Sequence, residues 1–154
     1  MSIYEAIRKV VEEMAPDLGI TVTESWDDAI LDIPADKLLP VARELKVRGF
    51  DRLGMVTAVD RGEEFELVYR VQSRSLSAAA FVKTRVARER ASIDSLYEVW
   101  PAADWQEREV WDLFGIAFVG HPDLRRILLP EDWPGWPLRK DYADANVIKR
   151  PDYI

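Results

Sequence analysis

Three successive stretches, residues 50–60, 64–73 and 79–88, are enriched in β-branched and aromatic side chains and read as strands. Arg61-Gly62-Glu63 makes a short hairpin connection between the first two, and Ser73 to Ser77 a longer one between the second and third. Connections this short cannot carry a parallel crossover, so the three strands are expected to run antiparallel. This meander constrains the rest of the chain, which must cover the apolar face that such a sheet presents.

The covering elements precede it. Ser2 and Glu5 have capping-box spacing, and Ile3, Ile7, Val10, Val11 and Met14 recur on one face, predicting a helix over 3–14. Pro16 and Gly19 end it, after which ITVTES and AILDI flank a Trp26-Asp27-Asp28 turn and read as a hairpin. Leu38, Leu39, Val41, Ala42, Leu45 and Val47 predict a second helix, with Asp36 as N-cap, Gly49 as stop and Pro40 tolerated in the first turn. The expected fold is α+β: a mostly antiparallel sheet covered on one face by helices, with a loop-rich C-terminal arm. Residues 1–100 form the core and 101–154 a helix plus the arm, within one domain.

Composition removes several functions. The 154 residues contain no cysteine, which excludes disulfides, thiolate zinc sites, a cysteine nucleophile and iron–sulfur clusters held by this chain's own cysteines. A formal charge of −7 disfavours a nucleic-acid backbone as partner. No apolar run reaches the roughly 18 residues of a membrane span, and MSIYEAIRKVVEEM has charges where a signal peptide needs an apolar stretch. A cytosolic chain, or one peripheral on a membrane complex, is expected.

The character changes after Ser92. Ser95 to Trp100 fits one helical turn, Pro101 breaks it, and Asp104 is placed to cap a helix ending at Phe114, with Gly115 as a left-handed stop. Residues 105–142 hold four of the six tryptophans and the only histidine. On the helix, Glu109 and Asp112 share a face with Trp105, and Arg108 lies within helical reach of Glu107 and Asp112. Gly120-His121-Pro122-Asp123 forces a turn, 124–129 is expected to be extended or to form one helical turn, and Trp133-Pro134-Gly135-Trp136 has type II turn offsets. About 25 residues with so little regular structure are unusual unless functional or held by a partner.

Three chemistries compete for this segment. Glu107, Glu109, Asp112, His121 and Asp123 are residue types for acid–base catalysis, as in a small hydrolase or lyase, although helix carboxylates are more often solvated or ion-paired and a histidine before proline is more often a loop anchor. Arg125, Arg126, Arg139 and Lys140 could cradle a phosphate, but no glycine-rich strand-to-helix loop accompanies them. Alternatively these arginines pair with carboxylates of the helix or of another chain, and tryptophan with arginine is what interface centres favour. At least one of Trp105 and Trp111 is expected in the core.

The string EREVWDLFGIAFVGHPDLRRILLPEDWPGWPLRKDY, with Val59-Asp60, Phe65 to Val71 and VWPAADW upstream, resembles the C-type subunit family of NADH-quinone oxidoreductase (respiratory complex I, NDH-1), and the J-type subunit of the photosynthetic version. The likeness covers roughly the last two-thirds of the chain; the first forty residues match only in element order. It implies a cofactor-free structural subunit of the hydrophilic arm, with FMN, iron–sulfur clusters and quinone on other subunits. It implies packing against the D-type quinone-site subunit, the large hydrogenase-like one, and neighbouring iron–sulfur subunits, peripheral on the cytoplasmic side of the membrane. Glu107, Arg108, Glu109, Asp112, His121, Asp123, Arg125, Arg126, Arg139, Lys140 and Asp141 would be interface or segment-ordering residues, with no catalytic group among them. Ferredoxin-dependent and hydrogenase-type membrane complexes remain alternative hosts. The chain runs only to Ile154, twelve residues past Tyr142, where longer members continue in a tail.

Overall fold

The computed structural model describes residues 3–14, 19–25 and 28–145. In chain order the elements are α1 (Ile3–Met14), β1 (Thr21–Ser25), β2 (Asp28–Asp32), α2 (Leu38–Val47), β3 (Arg52–Asp60), β4 (Glu64–Ser73), β5 (Ala78–Ala87), β6 (Ser92–Asp94), α3 (Ala103–Phe114) and β7 (Ala117–Val119). Ser2 of the expected capping box, Pro16, and Trp26-Asp27 of the expected turn lie outside the described residues.

The main sheet has the order β1-β2-β5-β4-β3. The β3-β4-β5 meander and the β1-β2 hairpin are antiparallel, as their short connections require. The two units join through a parallel pair, Ala29↔Ala80 to Asp32↔Lys83, because α2 carries the chain from β2 across the sheet to β3. A second, two-stranded sheet pairs β6 and β7 in parallel. The fold is therefore α+β with a mostly antiparallel sheet.

One face of the sheet is the core. Leu31, Phe65, Leu67 and Tyr69 are fully buried there, in one apolar cluster with Ile7 and Val11 of α1 and Leu38, Val41, Ala42 and Leu45 of α2. The opposite face carries the alternate residues, including Met55, Val68, Arg70 and Phe81, which are only half-buried. The third helix lies along the edge strand β3, where the Gln106 Oε1 accepts the Val56 N–H at 2.7 Å and so blocks one point of further strand pairing.

The two expected N-caps that fall on described residues, Asp36 and Asp104, are corrected. A 3₁₀ turn, Ala35–Lys37, precedes α2; Asp36 sits inside it and the capping position falls to Lys37, which makes no side-chain cap. Similarly, the Ala103 and Asp104 N–H groups already bond the carbonyls of Trp100 and Pro101, so the helix starts upstream and Asp104 belongs to its first turn. The expected stops are observed. Gly49 (φ +96°) turns the chain after α2, with the Phe50 N–H donating back to Leu45 O, and Gly115 (φ +72°) ends α3. Trp100 is buried, and its Nε1–H donates to Phe50 O at 2.9 Å, fixing the turn before α3 to the start of the meander.

Candidate interface arm

From residue 120 the chain is a loop that returns along α3. A loop without ladder partners must satisfy its backbone groups elsewhere, and here charged side chains do so. Asp112 is the first hub. Fully buried, its Oδ2 accepts three successive N–H groups, from Ile127 (3.1 Å), Leu128 (2.7 Å) and Leu129 (3.0 Å), and its Oδ1 accepts Arg126 Nη1 at 2.7 Å. Converging backbone amides form a nest for an anion, here filled by the side chain of Asp112. Burial opposes its ionisation, but the Leu129 amide, the Arg126 guanidinium and the other two amides outweigh burial and hold its pKa below the ordinary carboxylate value.

Arg126 extends the same network. It also donates to Asp112 O (3.0 Å), Trp133 O (2.9 Å) and Gly135 O (3.0 Å), and its guanidinium lies over the rings of Trp136 (4.7 Å) and Trp111 (5.8 Å). The two tryptophans meet edge-on at 5.4 Å. Trp111 is thus half-buried against the core, as expected of one of the pair, whereas Trp105 is 69% exposed. Trp136 presses so closely on Gly115 that a Cβ there would fall 2.5 Å from its ring, so Gly115 is needed for space as well as for φ.

The expected proximity of Arg108 to Glu107 and Asp112 does not become pairing. Its guanidinium reaches across to the loop and donates to Arg125 O (3.2 Å) and Arg126 O (3.3 Å), where the backbone needs donors. Segment 124–129 accordingly forms neither strand nor helix; its amides and carbonyls are held by Asp112 and Arg108.

A second hub, which sequence reasoning missed as such, is Asp60 at the end of β3. Buried, it accepts the Lys140 N–H (2.9 Å), the Gly62 N–H (2.8 Å) and Arg88 Nη1 (2.8 Å to each oxygen). Burial raises its pKa but Arg88 and the two amides prevail, leaving it well below the ordinary value. Arg88 also bonds Asp141, and Arg139 donates to Phe114 O at 2.6 Å. Lys140 therefore serves through its backbone. The available signal was parity: Val56, Ala58 and Asp60 alternate onto the buried face, and an aspartate there needs partners.

Glu107 faces the other way, into the core. It is fully buried, accepting the Ser95 hydroxyl (2.5 Å) and the Leu96 N–H (2.7 Å), and burial raises its pKa to about 7 against those two bonds. His121 is an anchor: Nδ1 accepts the Asp123 N–H at 3.0 Å, which places the proton of the neutral ring on Nε2, 3.0 Å from Asp104 O. Both ring nitrogens are occupied. Asp123 pairs with Arg125, and Glu109 is exposed. The carboxylates and the histidine thus do not converge on one cleft, and the four basic residues are divided between two hubs and the surface. Among the described residues no cluster of three or more His, Asp or Glu could hold a metal, and no helix is long and apolar enough to cross a membrane.

Comparison with known proteins places this arrangement. Residues 31–146 match the family described as respiratory-chain NADH dehydrogenase, 30 Kd subunit. A relative from Moorella thermoacetica, the C-type subunit of an NADH-quinone oxidoreductase, is 46% identical over 135 residues, covering 86% of this chain and 90% of the relative. Among solved structures, a chain of the membrane-bound sulfane sulfur reductase, an archaeal respiratory membrane complex, superposes with a TM-score of 0.80 at 28% identity, covering 97% of this chain and 95% of its own. The trypsin-resistant fragment (1–134) of Nqo5 shares the fold, with a TM-score of 0.66 at 24% identity over 80% of this chain and 100% of the fragment. A family match over most of the chain, and close identity to a relative of nearly equal extent, make this chain a member of the C-type subunit family of NADH-quinone oxidoreductase, the 30 kDa subunits of respiratory-chain NADH dehydrogenase.

Proposed function

We propose that the chain is a cofactor-free structural subunit of the hydrophilic arm of a complex I-like NADH:quinone oxidoreductase. In this reading it packs against the D-type quinone-site subunit and neighbouring iron–sulfur subunits, peripheral on the cytoplasmic side of the membrane, while FMN, clusters and quinone reside on other chains. The observation that carries the reading is where the motif's ionisable groups go. Asp112, Arg126, Arg108 and His121 are committed to the loop's own backbone, Arg139 to the last carbonyl of α3, and Asp141 to Arg88, which leaves them suited to shaping a surface and poorly suited to turnover. That surface presents Trp105, Glu109, Asp123, Arg125, Leu128 and Leu138 outward, a mixture of apolar and charged side chains that fits a protein partner. Residues 1–100 would act as the scaffold and 101–154 as its docking arm.

A second host is supported by one observation: the high structural similarity to a chain of an archaeal sulfane sulfur reductase complex suits an equivalent subunit in a ferredoxin-dependent or hydrogenase-type membrane complex. Affinity purification of the tagged chain from its host's membranes tests both. Co-purification with a quinone-site subunit and NADH-oxidising, flavin-bearing subunits supports the first, and co-purification of cluster-bearing and hydrogenase-like subunits alone supports the second. A stable monomer that turns over a substrate unaided, with loss of turnover in His121→Ala, would refute both.

A further inference from the structure

The face of the main sheet that no described helix covers treats its arginines differently at its two ends. Near the arm, the concavity lined by Arg61, Glu63, Glu64 and Arg85 is neutralised from within: Arg61 pairs with Glu66 at 2.8 Å, and Arg85 with Glu64 (3.5 Å) and Glu66 (3.6 Å). At the opposite end, eight residues along β3 and roughly 26 Å away at strand rise, a second concavity is lined by Arg52, Arg70, Gln72, Arg74 and Ser77. Arg74 is held by Asp51 (2.6 Å), but no described residue bonds or pairs with the guanidinium of Arg52 or Arg70. Two unmatched cations in a chain of net charge −7 are not explained by the needs of the fold.

The surroundings suit a polypeptide. Strand register places Met55, Arg70, Phe81 and Ile30 in one row across four strands, so a guanidinium stands among half-buried apolar side chains. Arginine, methionine and aromatics are the residues enriched at protein interfaces, whereas a phosphate site needs donors and gains little from such a row. The floor is kept low. Ala78 and Ala79 line it, and a Cβ on Gly54 would stand 2.9 Å from the Gln72 Oε1. Ser77 holds φ +47°, the one positive φ on a non-glycine among the described residues, at the rim of this concavity.

We propose that this end of the sheet is a second protein-docking surface, receiving from another subunit of the assembly a segment whose carboxylates meet Arg52 and Arg70 within an apolar stretch. The inference rests on the subunit reading above and extends it: with the arm at the far end of the same strands, the chain bridges two neighbours.

The test uses the assembled complex purified through a tag on this chain. Arg52→Glu with Arg70→Glu replaces attraction by like charge, and loss of one co-purifying subunit by about tenfold or more is expected, with the arm's partner retained. Because the chain has no cysteine, Ala79→Cys supplies its sole thiol; its maleimide labelling, read by mass spectrometry, should be fast in the free chain and suppressed in the complex. Unchanged subunit content in the reversal variant, or equal labelling in both states, overturns the proposal. Arginine-dependent binding of the free chain to vesicles containing phosphatidylglycerol, with no subunit lost, also overturns it in favour of a lipid surface. Failure of the wild-type chain to retain any subunit overturns the subunit reading itself, a result distinct from these.

Discussion

Replacing Asp112 by alanine is the most discriminating perturbation of the arm. It leaves three backbone N–H groups and one corner of the Arg126 guanidinium without an acceptor, at a carboxylate that is fully buried. Removing one partner of a buried, hydrogen-bonded ion pair costs about 3–5 kcal/mol. Arg126→Ala is expected to cost less, about 2–3 kcal/mol, because Asp112 keeps its three amide donors and the deserted carbonyls of Trp133 and Gly135 are near solvent. In a domain of this size each kcal/mol moves the melting midpoint roughly 2–4 °C, so Asp112→Ala should lower it by roughly 10 °C. Calorimetry measures the midpoint. Limited trypsinolysis locates the damage, since Arg126, 9% exposed at its side chain, becomes a cleavage site only when the loop opens. A midpoint within about 2 °C of the wild type, unchanged cleavage after Arg126, or a larger loss in Arg126→Ala than in Asp112→Ala would refute the hub.

Three further outcomes follow from the same geometry. The folded pKa of Glu107, about 7, lies above its unfolded value, so its contribution is fully present below that unfolded value and is lost as pH rises through 7; Glu107→Gln should therefore gain of order 2 kcal/mol over the wild type at pH 8 and nothing near pH 4, measured by urea unfolding. Asp60 has the opposite sign: its depressed pKa contributes stability above the ordinary carboxylate value that disappears as pH falls below it, so Asp60→Asn should flatten the acid limb of the stability curve, and an unaltered limb would count against the Asp60–Arg88–Lys140 clip. Gly115→Ala combines φ +72° with a collision against Trp136 and should lower stability by about 2 kcal/mol or more, with a change in tryptophan fluorescence; an unshifted spectrum and midpoint would show that Trp136 is not packed there.

The meander was legible because its strands carry their own β-favouring side chains and its turns are local. The joins between units were not. The β2–β5 and β6–β7 parallel pairs connect segments about 50 and 25 residues apart, and neither strand of such a pair advertises its partner. Cap prediction failed at Asp36 and Asp104 for a common reason: a residue with a good capping side chain was overridden by a turn that had already begun helical hydrogen bonding upstream. In the arm, residue types were legible but pairings were not. Helical spacing directed Arg108 toward Glu107 and Asp112, yet Arg108 serves loop carbonyls, Glu107 turns inward to Ser95, and Asp112 bonds a loop fifteen residues on.

Those pairings follow from one requirement. A segment of this length without a ladder or helix leaves its amides and carbonyls to compete for partners, and water cannot reach those pressed against α3. Carboxylates accept amides and guanidinium forks donate to carbonyls, so Asp112 and Asp60 take the first role and Arg108, Arg126 and Arg139 the second. The density of charge that makes the segment resemble an active site is thus what an ordered irregular loop requires. It also separates two classes of substitution in the arm. Changes at Asp112, Arg126 or Arg139 should lower stability and assembly together, whereas changes at Trp105, Glu109 or Leu128, whose exposed side chains make no hydrogen bond or ion pair to another described residue, should lower assembly with the melting midpoint unmoved. Loss of stability without loss of assembly in the first class, or the reverse pattern in the second, would break the link between the arm's order and its use as a surface.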